Sequence, residues 1–142
     1  MSDPGGYRAI RSIAVHTEDV VTALEADRQA DARTVLRVTP PFSGRMRARI
    51  HVEGSGEYEM NPEPIHIAPD RLVADAPHYP TPDETEQRLR DDPAADYSID
   101  AHHERHMAAV RDWREVVADS IVDSIELERS SGSHSVAVTA LG

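Results

Sequence analysis

The sequence predicts an α+β fold, an antiparallel sheet of four to six strands with two or three helices packed on one face. Three observations support this prediction. Alternating β-branched segments occur towards both ends of the chain, a capped helix and a longer amphipathic helix fill the second half, and Pro and Gly separate these segments. A length of 142 residues suits one compact domain. We therefore expect a flexible tail over residues 1–10 and a single α+β domain over 11–142.

The first half of the domain predicts one helix and one hairpin. Thr17 offers an N-cap oxygen, acidic residues follow it, and apolar residues then recur at helical spacing, so we expect a helix over about 17–29. Residues 34–38 are largely β-branched, and residues 45–52 alternate strictly. The loop 39–44, with its Pro pair and Gly, is expected to join these strands as a hairpin.

The second half predicts two helices and the remaining strands. Thr81-Pro82-Asp83-Glu84 combines an N-cap, a Pro at the first helical position and a capping-box Glu, so a helix should begin here and end near Asp92. A longer helix is expected over about 99–119. The other predicted strands are 57–60, 65–67, 121–128 and 135–140.

Composition excludes several classes of protein. The chain is 39% hydrophobic and 29% charged, which is ordinary for a globular protein and unlike a collagen or a coiled-coil rod. It has no Cys, so disulfides and thiolate metal sites are excluded. No apolar run approaches the roughly 18 residues that span a bilayer, and the start of the chain lacks the apolar segment of a secretory signal. We therefore expect a cytoplasmic protein with no membrane contact.

The charge balance resembles that of proteins from salt-loving archaea. There are 26 acidic residues against 15 basic ones, all 15 of which are Arg, and the net charge is −11. The segment Thr-Pro-Pro-Phe-Ser-Gly-Arg-Met-Arg-Ala-Arg-Ile-His-Val, residues 39–52, resembles small uncharacterised haloarchaeal proteins. The resemblance implies a salt-adapted surface and brings no activity with it. Under this resemblance the negative net charge is a solubility feature rather than a sign of a cationic partner.

A concentration of Arg lies between Asp31 and Glu53. This segment has five Arg and no carboxylate, so it carries +5 within an acidic chain. In a strand over 45–52, alternate side chains share a face, which places apolar residues towards the core and basic residues on the other side. The hairpin adds Arg37 to that basic side. The predicted anion-binding residues are Arg37, Arg45, Arg47, Arg49 and His51.

Two interpretations of this basic face follow. Guanidinium groups about 7 Å apart along a strand can bind phosphates or carboxylates, so we expect a non-catalytic binding or accessory protein that contacts nucleic acid or an acidic protein surface and is able to form a homo-oligomer. Alternatively, Glu126 and Glu128 lie on a neighbouring strand and pair with the Arg side chains, so that the charge is neutralised within the chain.

Histidines on the long predicted helix suggest a second site. The stripe that faces the core is expected to contain Ile99, His103, His106, Val110, Trp113, Val117 and Ile121. His102 lies on its flank, and with His106 it has the i, i+4 spacing that can chelate a divalent metal. The alternative function is therefore a metal-dependent or His-based enzyme with a third ligand from Asp100, Glu104, His66 or His78. In the other interpretation these imidazoles are hydrogen-bonded at the edge of the core.

Overall fold

The structure, a computed structural model, describes residues 6–29, 33–54, 63–129 and 132–142. Within these ranges, three α-helices and seven strands confirm the predicted α+β class. The strands are β1 (Ser12–His16), β2 (Thr34–Val38), β3 (Arg45–Arg47), β4 (Arg49–Val52), β5 (Ile65–Ile67), β6 (Ser124–Arg129) and β7 (Gly132–Leu141). The α-helices are α1 (Thr17–Gln29), α2 (Pro82–Asp91) and α3 (Ile99–Ala118), and short 3-10 helices span Tyr7–Ala9 and Pro69–Leu72.

The strands are divided between two sheets rather than joined in one. The four-stranded sheet has the order β3-β1-β7-β6, and the three-stranded sheet has the order β4-β2-β5. The three-stranded sheet is antiparallel, as predicted. The four-stranded sheet is mixed, because β1 runs parallel to both β3 and β7 while β6 and β7 are antiparallel. β1 was not among the predicted strands, and it forms the link between β3 and the C-terminal strands.

The hydrophobic core lies between the inner faces of both sheets and the helices. In the four-stranded sheet, Ile13 lies opposite Val138 and both are buried. In the three-stranded sheet, Leu36 lies opposite Ile67 and neither is exposed. The helices contribute the buried residues Val20, Val21, Ala23, Leu24, Trp113 and Val117. One face of the four-stranded sheet is thereby buried, and its other face is left to solvent.

α2 and α3 begin where the sequence predicts because their caps form. Thr81 Oγ1 accepts a hydrogen bond from the backbone N–H of Glu84 at 3.3 Å and donates one to its carboxylate at 2.9 Å. Ser98 Oγ accepts a hydrogen bond from the N–H of Ala101 at 3.0 Å at the start of α3. α1 follows β1 directly and carries Glu18 and Asp19 in its first turn, where carboxylates favour the helix dipole.

The segment 45–52 is not one strand, as the alternation had suggested, but two. Ala48 separates β3 from β4, and its backbone N–H donates to Ala14 O at 3.0 Å, so the chain completes its pairing with β1 before it turns to β2. β2 pairs antiparallel with β4, so residues 34–38 do pair with part of the predicted strand 45–52. The predicted hairpin loop 39–44 is wrong, because the connection between the paired strands spans 39–48 and contains β3 of the other sheet. Ile50 and Val52, expected in the core, are 39% and 42% exposed because β4 is an edge strand.

The first residues that the structure describes pack against the domain. Ile10, assigned to the tail by the sequence, is fully buried, and Tyr7 donates a hydrogen bond to Gly132 O at 3.0 Å. The rest of the predicted tail, residues 1–5, lies outside the described residues, as does the predicted strand 57–60. In the described part of the chain, no helix combines the length and the apolar character that crossing a bilayer requires.

Candidate functional site

Three of the predicted basic residues form an exposed row. Arg45 and Arg47 lie on the edge strand β3, and Arg49 begins β4. All three are exposed, while Met46 between them is half-buried and Ala48 is buried, so the alternation continues across the junction of the two strands. Successive members of this row stand about 7 Å apart along the backbone. We call Arg45, Arg47 and Arg49 the Arg row.

The Arg row makes no ion pair with a carboxylate of the described residues. The guanidinium group of Arg47 instead donates from Nη2 to Nε2 of His16, at the end of the neighbouring strand β1. An imidazole ring carries no negative charge, so this contact positions Arg47 without cancelling its charge. Three guanidinium groups are therefore exposed without a carboxylate partner in the described part of the chain.

The carboxylates expected to neutralise the Arg row lie too far away. Glu126 and Glu128 are exposed on β6, and β6 and β3 are the opposite edges of the four-stranded sheet. β1 and β7 lie between them, so the two edges are about 14 Å apart across the strands. The interpretation in which these two acids pair with the Arg row is therefore wrong.

Arg37 and His51 belong to a different group from the Arg row. Both are half-buried on the outer side of the three-stranded sheet, and Arg37 Nη1 lies 3.4 Å from His51 Nδ1. The His51 ring is 5.2 Å from the ring of His66, whose Nδ1 lies 3.2 Å from the Glu53 carboxylate. The sequence did not predict this cluster, because the pairing of β2 with β5 brings His66 to it. Arg37 is also directly opposite Arg49, so positive charge accumulates here.

The two helix histidines come together, and a buried hydroxyl lies between them. Thr85 of α2 is 1% exposed, and its Oγ1 lies 2.9 Å from His102 Nε2 and 3.0 Å from His106 Nδ1. His102 Nε2 also contacts the carbonyl oxygen of Pro82 at 3.0 Å. The hydroxyl also lies 3.3 Å from Thr81 O and 3.1 Å from Pro82 O, so one buried group contacts both rings and the first turn of α2. The sequence contains no signal for Thr85, because its role depends on the packing of α2 against α3.

This arrangement bears on the predicted metal pair. The two nitrogens that face each other from His102 and His106 are both engaged with the Thr85 hydroxyl. Two of the proposed third ligands have other partners, His66 with Glu53 and His78 with Glu84 at 2.7 Å. Among the residues that the structure describes, no group of three or more His, Asp or Glu is placed to hold a metal ion. Metal binding by His102 and His106 stays a prediction.

The stripe of α3 that faces the core is shorter than predicted. Val110, Trp113 and Val117 are buried as expected. Ile99 is 80% exposed and His103 is exposed, so the first turns of the helix do not continue the stripe. The reason is that α2 packs against the side of α3 that carries His102 and His106.

A groove between α1 and α3 contains a second polar network. It has a volume of about 700 Å³, and its lining includes Glu25 and Arg114. Arg114 donates two hydrogen bonds to the Glu25 carboxylate, at 2.8 and 3.0 Å, and Tyr79 donates a third at 2.7 Å. The hydrogen bond from Arg114 lowers the pKa of Glu25, against the opposing effect of burial. Burial, followed by the Glu25 contact, raises the pKa of Tyr79 to about 12.

Similarity to known proteins is found at the level of the family. No curated protein and no solved structure matches the chain. The family match extends over residues 1–142 and so includes the Arg row, Thr85 and both helix histidines. Its description names no activity, ligand or partner. The chain belongs to the family described as Domain of unknown function (DUF8009).

Proposed function

We propose that this protein is a non-catalytic binding protein whose Arg row contacts an acidic protein surface. The observation that carries the proposal is the exposure of Arg45 and Arg47 on β3 and of Arg49 at the start of β4, with no carboxylate partner among the described residues. Guanidinium groups bind carboxylates through two parallel hydrogen bonds, and such short contacts persist where salt screens longer-range attraction. The row therefore suits a partner that brings carboxylates into direct contact.

The surroundings of the row favour protein over nucleic acid. Single-stranded nucleic acid is usually bound by aromatic rings on which bases stack. Of the described aromatic residues, Phe42 is the one nearest in sequence, and it is buried in the core at 6% exposure. The neighbouring positions on β1, Ser12 and Ala14, are small. A surface of carboxylates needs no stacking platform.

We also propose that the chain works at molar salt, in the cytoplasm of a salt-loving archaeon. The complete use of Arg in place of Lys and the net charge of −11 support this proposal. Mutual repulsion of the acids is screened at about 1 M salt, where the Debye length is about 3 Å. The melting temperature should rise steadily when KCl is increased from dilute to molar concentration. Greatest stability in dilute buffer would contradict salt adaptation.

Binding to poly-L-glutamate at about 1 M KCl, where the Debye length is about 3 Å, tests the proposed function. The double variant Arg47→Gln/Arg49→Gln should bind about 10-fold or more weakly, since each lost contact removes roughly 1 kcal/mol and 1.4 kcal/mol is a factor of ten. The matched control Arg28→Gln/Arg111→Gln removes the same charge from exposed positions on α1 and α3. Equal binding by the two double variants would refute the role of the row.

A single-stranded oligonucleotide with the same number of charges provides the second arm of the test. We expect it to bind more weakly than poly-L-glutamate because the described residues next to the row in the sequence and on β1 include no exposed Phe, Tyr or Trp ring. If the oligonucleotide binds more tightly than poly-L-glutamate, and this binding depends on Arg47 and Arg49, the partner is nucleic acid and not an acidic protein.

A further inference from the structure

The outer face of the four-stranded sheet is open to solvent. The register of the strands places small side chains in the middle of this face, on the two central strands β1 and β7. The middle residues are Ser12, Ala14, Ser133, Ser135, Ala137 and Thr139. The two on β1 are half-buried between neighbouring strands, and the four on β7 are exposed. A sheet face of small side chains allows another surface to approach its backbone closely.

Opposite charges occupy opposite corners of this face. At the β3 edge, Arg45 is paired with Ser12 of β1, and Arg47 is paired with Ala14, two residues further along β1. At the β6 edge, Glu126 is paired with Ser135 of β7 and Glu128 with Ser133. Arg45 and Arg47 are level with Ala137 and Thr139 of β7, so the Glu pair lies nearer the start of β7 than the Arg pair does. The centres of the two pairs are offset by about 14 Å across the strands and about 13 Å along them. None of these four side chains forms an ion pair within the described residues.

We propose that this face binds the same face of a second copy of the chain. A twofold axis between the two four-stranded sheets, one from each copy, relates the two copies. The inference rests on the proposed function, because it takes the acidic partner of Arg45 and Arg47 to be Glu126 and Glu128 of the second copy. A twofold axis makes the contact reciprocal, so one operation satisfies both charged corners of both copies. The face is thus complementary to itself.

The positions of the charges determine how the two sheets cross. The twofold axis must place Arg45 and Arg47 of one copy over Glu126 and Glu128 of the other. It must therefore lie in the plane of the face and be the perpendicular bisector of the line that joins these two corners. With nearly equal offsets across and along the strands, this axis lies about 45° from the strand direction, so the strands of the two sheets cross at about 90°. Orthogonal crossing is one of the two arrangements in which sheets pack face to face.

The size of the face predicts a weak dimer. The four strands contain 24 residues (3 in β3, 5 in β1, 10 in β7 and 6 in β6), and at about 3.3 Å by 4.8 Å for each residue they give a projected area of about 400 Å² on each copy. Standard protein interfaces bury about 800 Å² on each partner, and smaller ones belong to the transient class. We therefore expect association in the micromolar range, with the charged corners providing much of its specificity.

Charge reversal at the two corners tests this dimer. In sedimentation velocity at a series of concentrations, Arg45→Glu/Arg47→Glu and Glu126→Arg/Glu128→Arg should each dimerise at least about 100-fold more weakly than the wild type, because like charges then meet at both corners. An equimolar mixture of the two variants should form a heterodimer as stable as the wild-type dimer, since both corners are again complementary. Recovery in the mixture also shows that both variants are folded.

The matched control is Arg88→Glu/Arg111→Glu, which makes the same charge change on exposed positions of α2 and α3. It should dimerise like the wild type. A monomeric wild type, an unaffected reversed variant, or a mixture that does not recover would each overturn the dimer. A monomeric wild type that still binds poly-L-glutamate through Arg47 and Arg49 would leave the proposed function standing, whereas loss of that binding as well would remove both.

Discussion

The Thr85 hydroxyl should stabilise the packing of α2 on α3, and Thr85→Val is the substitution that isolates it. Val has nearly the same shape, so the buried site is refilled without a cavity and only the hydroxyl is lost. His102 keeps its contact with Pro82 O at 3.0 Å, but His106 Nδ1 loses the hydrogen bond that it makes at 3.0 Å. One half-buried ring nitrogen is then left unsatisfied.

The magnitude follows from that single orphaned nitrogen. An unsatisfied buried acceptor costs about 1–3 kcal/mol, and 1 kcal/mol shifts the melting temperature of a chain of this size by about 3–4 °C. Thr85→Val should therefore melt about 3–12 °C below the wild type in a thermal scan followed by circular dichroism. The control Thr85→Ser keeps the hydroxyl and loses one methyl group, so its decrease should be the smaller of the two.

The refuting result is a Val variant that melts with the wild type or above the Ser variant. It would mean that the imidazoles of His102 and His106 find solvent instead of the hydroxyl. The interpretation in which Thr85 holds the two imidazoles would then lose its support. His102 Nε2 and His106 Nδ1 would both be available as metal ligands, as the sequence predicts.

Three further predictions concern the core and the groove. Because Arg114 lowers the pKa of Glu25, the folded state gains stability from this carboxylate above the ordinary Glu pKa of about 4.3 and loses it as the pH falls further. The free energy of unfolding of Glu25→Gln in urea should thus be lower than that of the wild type by about 1 kcal/mol near neutrality and converge with it in acid. A difference that does not change with pH would contradict this. Trp113→Phe removes the hydrogen bond to Pro77 O at 2.9 Å and should lower the free energy of unfolding by about 1–3 kcal/mol. Unfolding must be followed by circular dichroism, because Trp113 is the only Trp and its fluorescence is lost. An unchanged unfolding midpoint would refute this prediction. Ile10→Ala should cost about 2–5 kcal/mol if residue 10 belongs to the core, and almost nothing if it belongs to a tail.

Local sequence signals predicted the helices well. Thr17 with its acidic neighbours placed α1, and the Thr81 capping box placed α2, because a cap and a helical period are both encoded within a few residues. The exposure of Arg45, Arg47 and Arg49 was predictable for the same reason, since alternation is a local property.

Strand order was not predictable in this way. β1 is five residues long and begins directly after the predicted tail, and it pairs with strands far from it in sequence. The sequence therefore placed Glu128 near the Arg row, although two strands separate them. The junction at Ala48 was hidden because basic and apolar residues keep alternating in the sequence where the chain moves between sheets, although Ile50 and Val52 are exposed after it. Thr85 was missed because its partners lie on another helix.

The pairing of β1 with β7 has a consequence for how the chain is made. Ser12 lies opposite Ala137, so the innermost pairing of the four-stranded sheet joins segments that are 125 residues apart (137 − 12) in the chain. Contacts of such long sequence separation form slowly, and nascent chains fold only from what has left the ribosome. The apolar side chains of β1 therefore stay unpaired with β7 until residues 132–141 have left the ribosome. A chain that ends before β7 leaves both β1 and β6 without the strand that lies between them.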